Sequence, residues 1–335
     1  MIFLKYMTMQ KEKLRIVFFG TPEFAVASLD RLYTDGYNIV GVVTMPDKPA
    51  GRGHKMLFSD VKKYALEKNL PLLQPVKLKD PEFVEALRGL QADLFIVIAF
   101  RMLPEVVWTM PPLGTFNLHA SLLPSYRGAA PINWAVMNGD AETGVTTFFL
   151  KHEIDTGDVI RQERISIGPD ENVGSVHDRL MSLGADLTAD TVAHIIAGDL
   201  KPVSQEMLAT DRVPSAAPKI FTETCRIDWT RPAARLHDFV RGLSPYPCSW
   251  TEVYAGDEKI TELKVIKARV AHEAVPEGDP GQFVVVKNHL YVRCGEGALE
   301  LLEVRPSGKR PMTASDYWRG VRLPDDSADL ILMMR

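Results

Sequence analysis

The sequence predicts an α/β protein: a Rossmann-like, mostly parallel sheet with helices on both faces, followed by a smaller OB-like β-barrel domain. Two textures carry that expectation. Over the first two hundred or so residues, apolar runs alternate with helix-period patterns, the βαβα order that calls for a doubly wound parallel sheet. Past about Cys225 the chain changes to short alternating strands separated by turn signals, which suits a small barrel. A third observation sets the scale: 335 residues, 46% of them hydrophobic and 24% charged, are ample for two cores.

Taken in order, Leu14 to Phe19 reads as a buried strand ending at Gly20, Phe24 to Leu32 as a helix, and Ile39 to Thr44 as a second strand. Ser59 stands where a cap precedes a helix over Asp60 to Lys68, Leu70 to Leu73 makes a short strand, and Pro81 suits the first turn of a helix ending near Leu90. Strand Leu94 to Ala99 follows, then Thr115 to His119, Gly144 to Leu150 and Val159 to Ile167. Val173 to Ala197 is a long helix with a break expected near Gly184, and Asp199 to Thr224, with Pro202, Pro214 and Pro218, reads as a linker. One helix, Ala233 to Leu243, then leads into five strands: Trp250 to Tyr254, Leu263 to Ala268, Gly281 to Val286, Leu290 to Cys294 and Ala298 to Val304. The expected organisation is a loose leader over 1–13, a catalytic domain over 14–198, the linker over 199–224, and the second domain over 225–335.

Composition excludes several classes. The longest apolar run, Leu94 to Phe100, is far below the roughly 20 residues of a membrane-spanning helix, and the first residues lack the pattern of a secretory signal. Cys225, Cys248 and Cys294 show neither metal-ligand spacing nor a disulfide rhythm, which fits a reducing cytoplasm. A net charge of -4 argues against a uniformly basic nucleic-acid binder and leaves room for local basic patches. One such patch lies between Asp47 and Lys63, where Lys48, Arg52, Lys55, Lys62 and Lys63 outnumber Asp47 and Asp60. Gly51 and Gly53 flank Arg52 there, as in a loop that orders on phosphate. In the second domain Lys287, Arg293, Arg305, Lys309 and Arg310 are candidates for a second basic face.

The chemistry-bearing residues stand at a strand end. Side chains alternate along a strand, so Asn117 and His119 share a face, at the carboxyl edge where open α/β sheets bind ligands. If Asp155 reaches them, an amide, an imidazole and an orienting carboxylate form the parts of an acyl-transfer site in which the nucleophile comes from the substrate. Alone, Asn117 reads as a satisfied strand end, His119 as a half-buried histidine, and Asp155 before Thr156-Gly157 as a turn former. Their joint spacing favours function. Gly20-Thr21-Pro22-Glu23 occupies the first strand-to-helix turn without the further glycines of a dinucleotide site, and Glu23 repels a pyrophosphate.

The ordered set Phe19-Gly20-Thr21-Pro22-Glu23-Phe24, Pro46-Asp47-Lys48-Pro49-Ala50-Gly51-Arg52-Gly53, Phe116 to Pro124, Tyr126 to Ile132 and Asp155-Thr156-Gly157 resembles the methionyl-tRNA formyltransferase family. Arg226 to Trp229, Pro245-Tyr246-Pro247 and Gly295 to Leu299 extend the likeness over nearly the whole chain. The resemblance implies 10-formyltetrahydrofolate as co-substrate, no metal, and initiator methionyl-tRNA as the partner, with no membrane and no stable protein partner. It places the catalytic roles on Asn117, His119 and Asp155, folate contacts on Ser121, Leu122, Leu123, Pro124 and Phe100, and tRNA contacts on Lys48, Arg52 and Lys55. The chain departs from the family pattern after Phe100, where many relatives carry an extra residue and a glycine.

Rival readings are another folate-dependent formyltransferase acting on a small amine, a formylfolate hydrolase using water, and a noncatalytic RNA-binding module. A phosphoribosyl substrate calls for a phosphate-cradling loop that residues 20–23 do not supply. A hydrolase gains nothing from the basic insertion, and a pure binder needs no catalytic trio.

Overall fold

In a computed structural model, described for residues 10–50, 55–208, 213–321 and 332–335, the chain falls into two compact units. One lies within Met1–Pro131, Gly144–Ile165 and Asp178–Ala217, the other within Ile132–Thr143, Ser166–His177 and Pro218–Arg335.

The elements of the first half are β1 (Arg15–Gly20), α1 (Glu23–Thr34), β2 (Asn38–Val43), β3 (Lys48–Ala50), β4 (Lys55–Leu57), α2 (Asp60–Glu67), β5 (Leu72–Leu73), α3 (Pro81–Gly89) and β6 (Leu94–Ile98). They continue with α4 (Glu105–Trp108), β7 (Thr115–His119), β8 (Arg127–Gly128), α5 (Pro131–Met137), β9 (Glu142–Phe149), β10 (Val159–Ser166), α6 (Val173–Ala197), α7 (Gln205–Leu208) and β11 (Ala216–Ala217). The main sheet runs β10-β9-β7-β6-β1-β2-β5. Pairings from β5 to β7 are parallel, and β9 joins β7 antiparallel. From β1 the chain builds outward through β2 and β5, then returns to add β6, β7, β9 and β10 on the other side. The order therefore reverses between β1 and β6, which is where such sheets open a ligand crevice.

Alternation along the strands sorts the two faces. Val17, Phe19, Phe95 and Val97 pack with Phe83, Val84 and Leu87 of α3. On the other face Leu118 of β7 meets α6 at Gly184. Phe18, Phe19, Phe95 and Phe116 are fully buried, each contributing about 1.5–3 kcal/mol by leaving water. The helix caps follow the sequence signals: the Ser59 hydroxyl accepts from Lys62 N at 3.0 Å, and Asp80 caps the helix that Pro81 begins.

In the second unit the elements are α8 (Ala233–Leu243), β12 (Ser249–Ala255), β13 (Glu258–Val270), β14 (Phe283–Val286), β15 (His289–Arg293), β16 (Ala298–Pro306), β17 (Met312–Thr313), α9 (Ala314–Gly320) and β18 (Leu332–Met334). The antiparallel sheet runs β14-β15-β16-β13-β12-β18. A bridge between Gln282 and Met333, with Met334 N donating to Gly281 O at 2.7 Å, ties its two ends together and closes the barrel. Leu236 and Val240 of α8 join the barrel core of Val253, Leu263, Val265, Val292 and Leu301.

The expected break in the long helix does not occur: α6 runs unbroken through Gly184. The expected linker is not featureless, since it carries α7 and β11.

Candidate active site

The carboxyl ends of β1, β6 and β7 lie at one edge because these strands are parallel neighbours, so Gly20, Ala99 and His119 end side by side there. Asn117 and His119 share a strand face and pair across with Phe148 and Thr146 of β9. The Asn117 side-chain oxygen is buried without a hydrogen-bond partner, an uncommon and costly state.

His119 is buried, at 7% exposure, and its Nε2 lies 2.8 Å from the carbonyl oxygen of Tyr126. A carbonyl can only accept, so Nε2 carries the hydrogen and Nδ1 faces outward. Nδ1 stands 3.9 Å from Asp155 Oδ2, too far for a direct hydrogen bond. The imidazole is thus oriented by a backbone carbonyl, a job the sequence reading gave to Asp155. The carboxylate still faces the ring, across a gap that a hydrogen-bonding group of the substrate or a water can bridge.

Asp155 reaches this position through a turn held from several directions. Its Oδ2 accepts from Gly128 N at 3.0 Å. Its carbonyl oxygen and that of Gly157 each accept from Gln205 Nε2 at 2.8 Å. Gln205 Oε1 in turn accepts from Arg127 Nε at 3.0 Å and Nη2 at 2.6 Å. Gly128 itself has φ +128, and a Cβ there would lie 2.4 Å from Ala217 O across the β8–β11 pairing, so only glycine fits. Ala99, Tyr126 and Asp155 all adopt positive φ (47, 63 and 55), a clustering of backbone strain typical of functional sites.

The Ser121–Pro124 loop divides its side chains. Ser121 and Leu123 are buried, while Leu122 and Pro124 are partly exposed and available to a ligand. The loop backbone is fixed by Thr146, whose hydroxyl donates to Ser121 O at 2.6 Å and accepts from Leu123 N at 3.2 Å. Gln162 Nε2 donates to Leu123 O at 2.7 Å and to the Thr146 hydroxyl at 2.9 Å. Phe100 lies against Phe19, ring centroids 5.8 Å apart, with the Arg101 guanidinium over its face. Burial pushes the Arg101 pKa down from its ordinary value.

Of the basic stretch, Lys48 is exposed on the β3–β4 hairpin, Lys55 pairs through its backbone with Ala50, and Arg52 lies outside the described residues. Lys62 and Lys63 are paired locally, with Asp47 at 2.5 Å and Asp60 at 2.8 Å. Hydrogen bonds from Lys62 and then Gln74 hold the Asp47 carboxyl below its ordinary pKa. In the second unit Arg305 and Lys309 line a pocket of about 280 Å³ with Lys264 and Glu262. Lys287, Arg293 and Arg310 are not among its lining residues.

Tyr126, Arg127, Gln162, Thr146 and Gln205 support this site, and sequence reasoning assigned none of them a role. Arg127 and Tyr126 were visible as neighbours of the loop. Gln205 carried only the weak signal of a polar residue after Ser204 at the start of a short helix.

This fold and strand-end site define a formyl transferase of two parts. The family profile described as formyl transferase matches residues 14–192, and that of the formyl transferase C-terminal domain matches 219–322. The methionyl-tRNA formyltransferase of Bacteroides thetaiotaomicron is 55% identical over 321 residues, covering 95% of this chain and 98% of that protein. The one from Flavobacterium johnsoniae is 46% identical over 316 residues, covering 94% and 99%. The chain belongs to the methionyl-tRNA formyltransferase family. Among solved structures, an N-formyltransferase from Helicobacter canadensis in complex with folinic acid and dTDP-3-aminofucose has a TM-score of 0.63 at 19% identity, covering 88% of this chain and 99% of that one. HypX from Aquifex aeolicus with tetrahydrofolic acid has a TM-score of 0.61 at 19% identity, covering 95% of this chain and 50% of that one. Both likenesses concern the fold.

Proposed function

We propose that this chain transfers the formyl group of 10-formyltetrahydrofolate to the α-amino group of methionine esterified to initiator tRNA, in the cytoplasm, ahead of translation initiation. Membership in the family supports the reading, and the observation that carries it is His119 at a strand end with its ring facing the Asp155 carboxylate, beside Asn117 on the same strand face. An aminoacyl ester's amine titrates below the roughly 7.7–8.0 of a chain terminus because the ester withdraws electrons, so a strong base is unnecessary. The amine nitrogen bonds to the formyl carbon and the bond from that carbon to the folate nitrogen breaks. Charge developing on the formyl oxygen is met by the Asn117 amide N–H and by a donor nitrogen of His119. Asp155 and His119 route the amine's proton to the departing nitrogen, using the gap between them for the relay. Leu122 and Pro124 border the donor, the buried Ser121 and Leu123 hold their loop, and the backbone beside Phe100 lines the opposite side.

By the family resemblance, the RNA contacts of the insertion are Lys48, Arg52 and Lys55. In this reading the 14–198 portion performs the chemistry and 225–335 contributes further tRNA contact.

The direct test incubates the purified protein with charged initiator tRNA and 10-formyltetrahydrofolate and analyses the released amino acid. Formylmethionine is expected. Donor breakdown with no formyl group on the amino acid would overturn the assignment in favour of a hydrolase. Asn117→Ala should lower kcat about 10²–10³-fold with tRNA affinity retained, the usual loss for one oxyanion donor.

A further inference from the structure

Gln205 lies in the stretch whose sequence reads as a connector, yet it is 2% exposed and stands between two parts of the site. Its amide makes two donations and one shared acceptance. Nε2 serves the carbonyl oxygens of Asp155 and Gly157, both at 2.8 Å. Oε1 takes both Arg127 donors, at 3.0 and 2.6 Å. A guanidinium has no acceptor, so Arg127 fixes which end of the amide is oxygen and thereby aims the nitrogen at the Asp155 turn. The next residue, Gly128, binds the Asp155 carboxylate directly at 3.0 Å. Asp155 is therefore held at its side chain by Gly128 and at its backbone by Arg127 acting through Gln205. That backbone needs holding, because φ +55 is a disfavoured conformation for a residue with a Cβ.

We propose that Gln205 is a positioning residue of the transfer reaction: with Arg127 it clamps the Asp155 turn and sets the carboxylate's distance from His119. The inference rests on the reading of Asp155 as the site's working carboxylate. It predicts an effect on turnover that passes entirely through Asp155.

The test is steady-state kinetics on the full chain with charged initiator tRNA and 10-formyltetrahydrofolate. Gln205→Met keeps the volume and loses every hydrogen bond, and should lower kcat about 10–100-fold, the usual effect of misplacing a reacting group, with both KM values within about twofold. Gln205→Glu keeps the partner of Arg127 but loses the donations to the turn, and should be equally slow. In an Asp155→Asn background Gln205→Met should add no further loss, because both changes break one unit. Gln205→Glu at the parent rate, or losses that multiply in the double variant, would overturn the clamp. Should Gln205→Met fail to fold, Arg127→Met carries the same test: a lowered kcat that vanishes in the Asp155→Asn background supports the clamp, and a full kcat or a multiplying loss refutes it. If Asp155→Asn itself turns over at the parent rate, the underlying reading of Asp155 falls. A slow Asp155→Asn beside a fast Gln205→Glu overturns the clamp alone.

Discussion

Thr146 contributes a single hydroxyl, fully buried, and three groups of the site loop depend on it: Ser121 O, Leu123 N and Gln162 Nε2. Valine at this position keeps the shape and leaves buried donors and acceptors without a partner, a cost of about 1–3 kcal/mol. Thr146→Val should therefore lower the unfolding free energy by that amount, seen as a lower urea midpoint at an unchanged m-value, and raise KM for the folate donor more than it lowers kcat. Normal donor KM alongside the stability loss would separate this loop from folate binding. At this scale the sequence offered Asn117 and His119 as candidates through strand alternation, and Asp155 through its joint spacing with them and the family resemblance. It could not offer Thr146, Gln205 or the Tyr126 carbonyl. Thr146 and Gln205 find partners far along the chain, and a backbone carbonyl has no residue identity to read.

Helix α6 crosses the back of β7 at a glycine, although glycine lowers helix propensity by about 1 kcal/mol relative to alanine. A Cβ at Gly184 would lie 2.7 Å from Leu118 Cδ2, and Leu118 is buried, standing between Asn117 and His119 in the strand. The glycine that suggested a break is thus a close-approach position inside a continuous helix. Gly184→Val should overpack this contact and cost about 1–3 kcal/mol, measured by thermal or urea unfolding. Because Leu118 lies between Asn117 and His119 in β7, a shift of the strand passed on by this contact should lower kcat as well, and an unchanged kcat would mean that the leucine side chain alone absorbs it. Elements with strong periodicity, such as α3 and β6, were legible to within a residue or two, whereas β13, which runs Glu258–Val270, was read only as Leu263 to Ala268 because its first residues are mostly polar. The β3–β4 hairpin and helix α4 were not legible, since three or four residues hold too few positions to display a period.

At the scale of the whole molecule, the two compact units have separate apolar cores, and the second is completed by its last few described residues. β18 pairs with β12 and bonds back to Gly281, while Leu332 and Met334 are 5% and 2% exposed in the barrel core. A five-strand barrel was readable from alternating segments, but its closing strand was not, because Leu332–Met334 is three apolar residues, too short to show alternation. An open sheet exposes edge donors and acceptors and the apolar side chains behind them, so the closing strand carries weight beyond its length. Deleting 332–335 should leave amides of β12 and β14 exchanging rapidly, with slower strands such as β1, β6 and β7 of the first unit retaining their protection. Hydrogen exchange read by mass spectrometry on peptides from each unit checks this. Full protection of β12 in the truncated chain would mean that the sheet closes without β18. Rapid exchange throughout β1 and β6 would mean that the first core depends on the barrel for its stability.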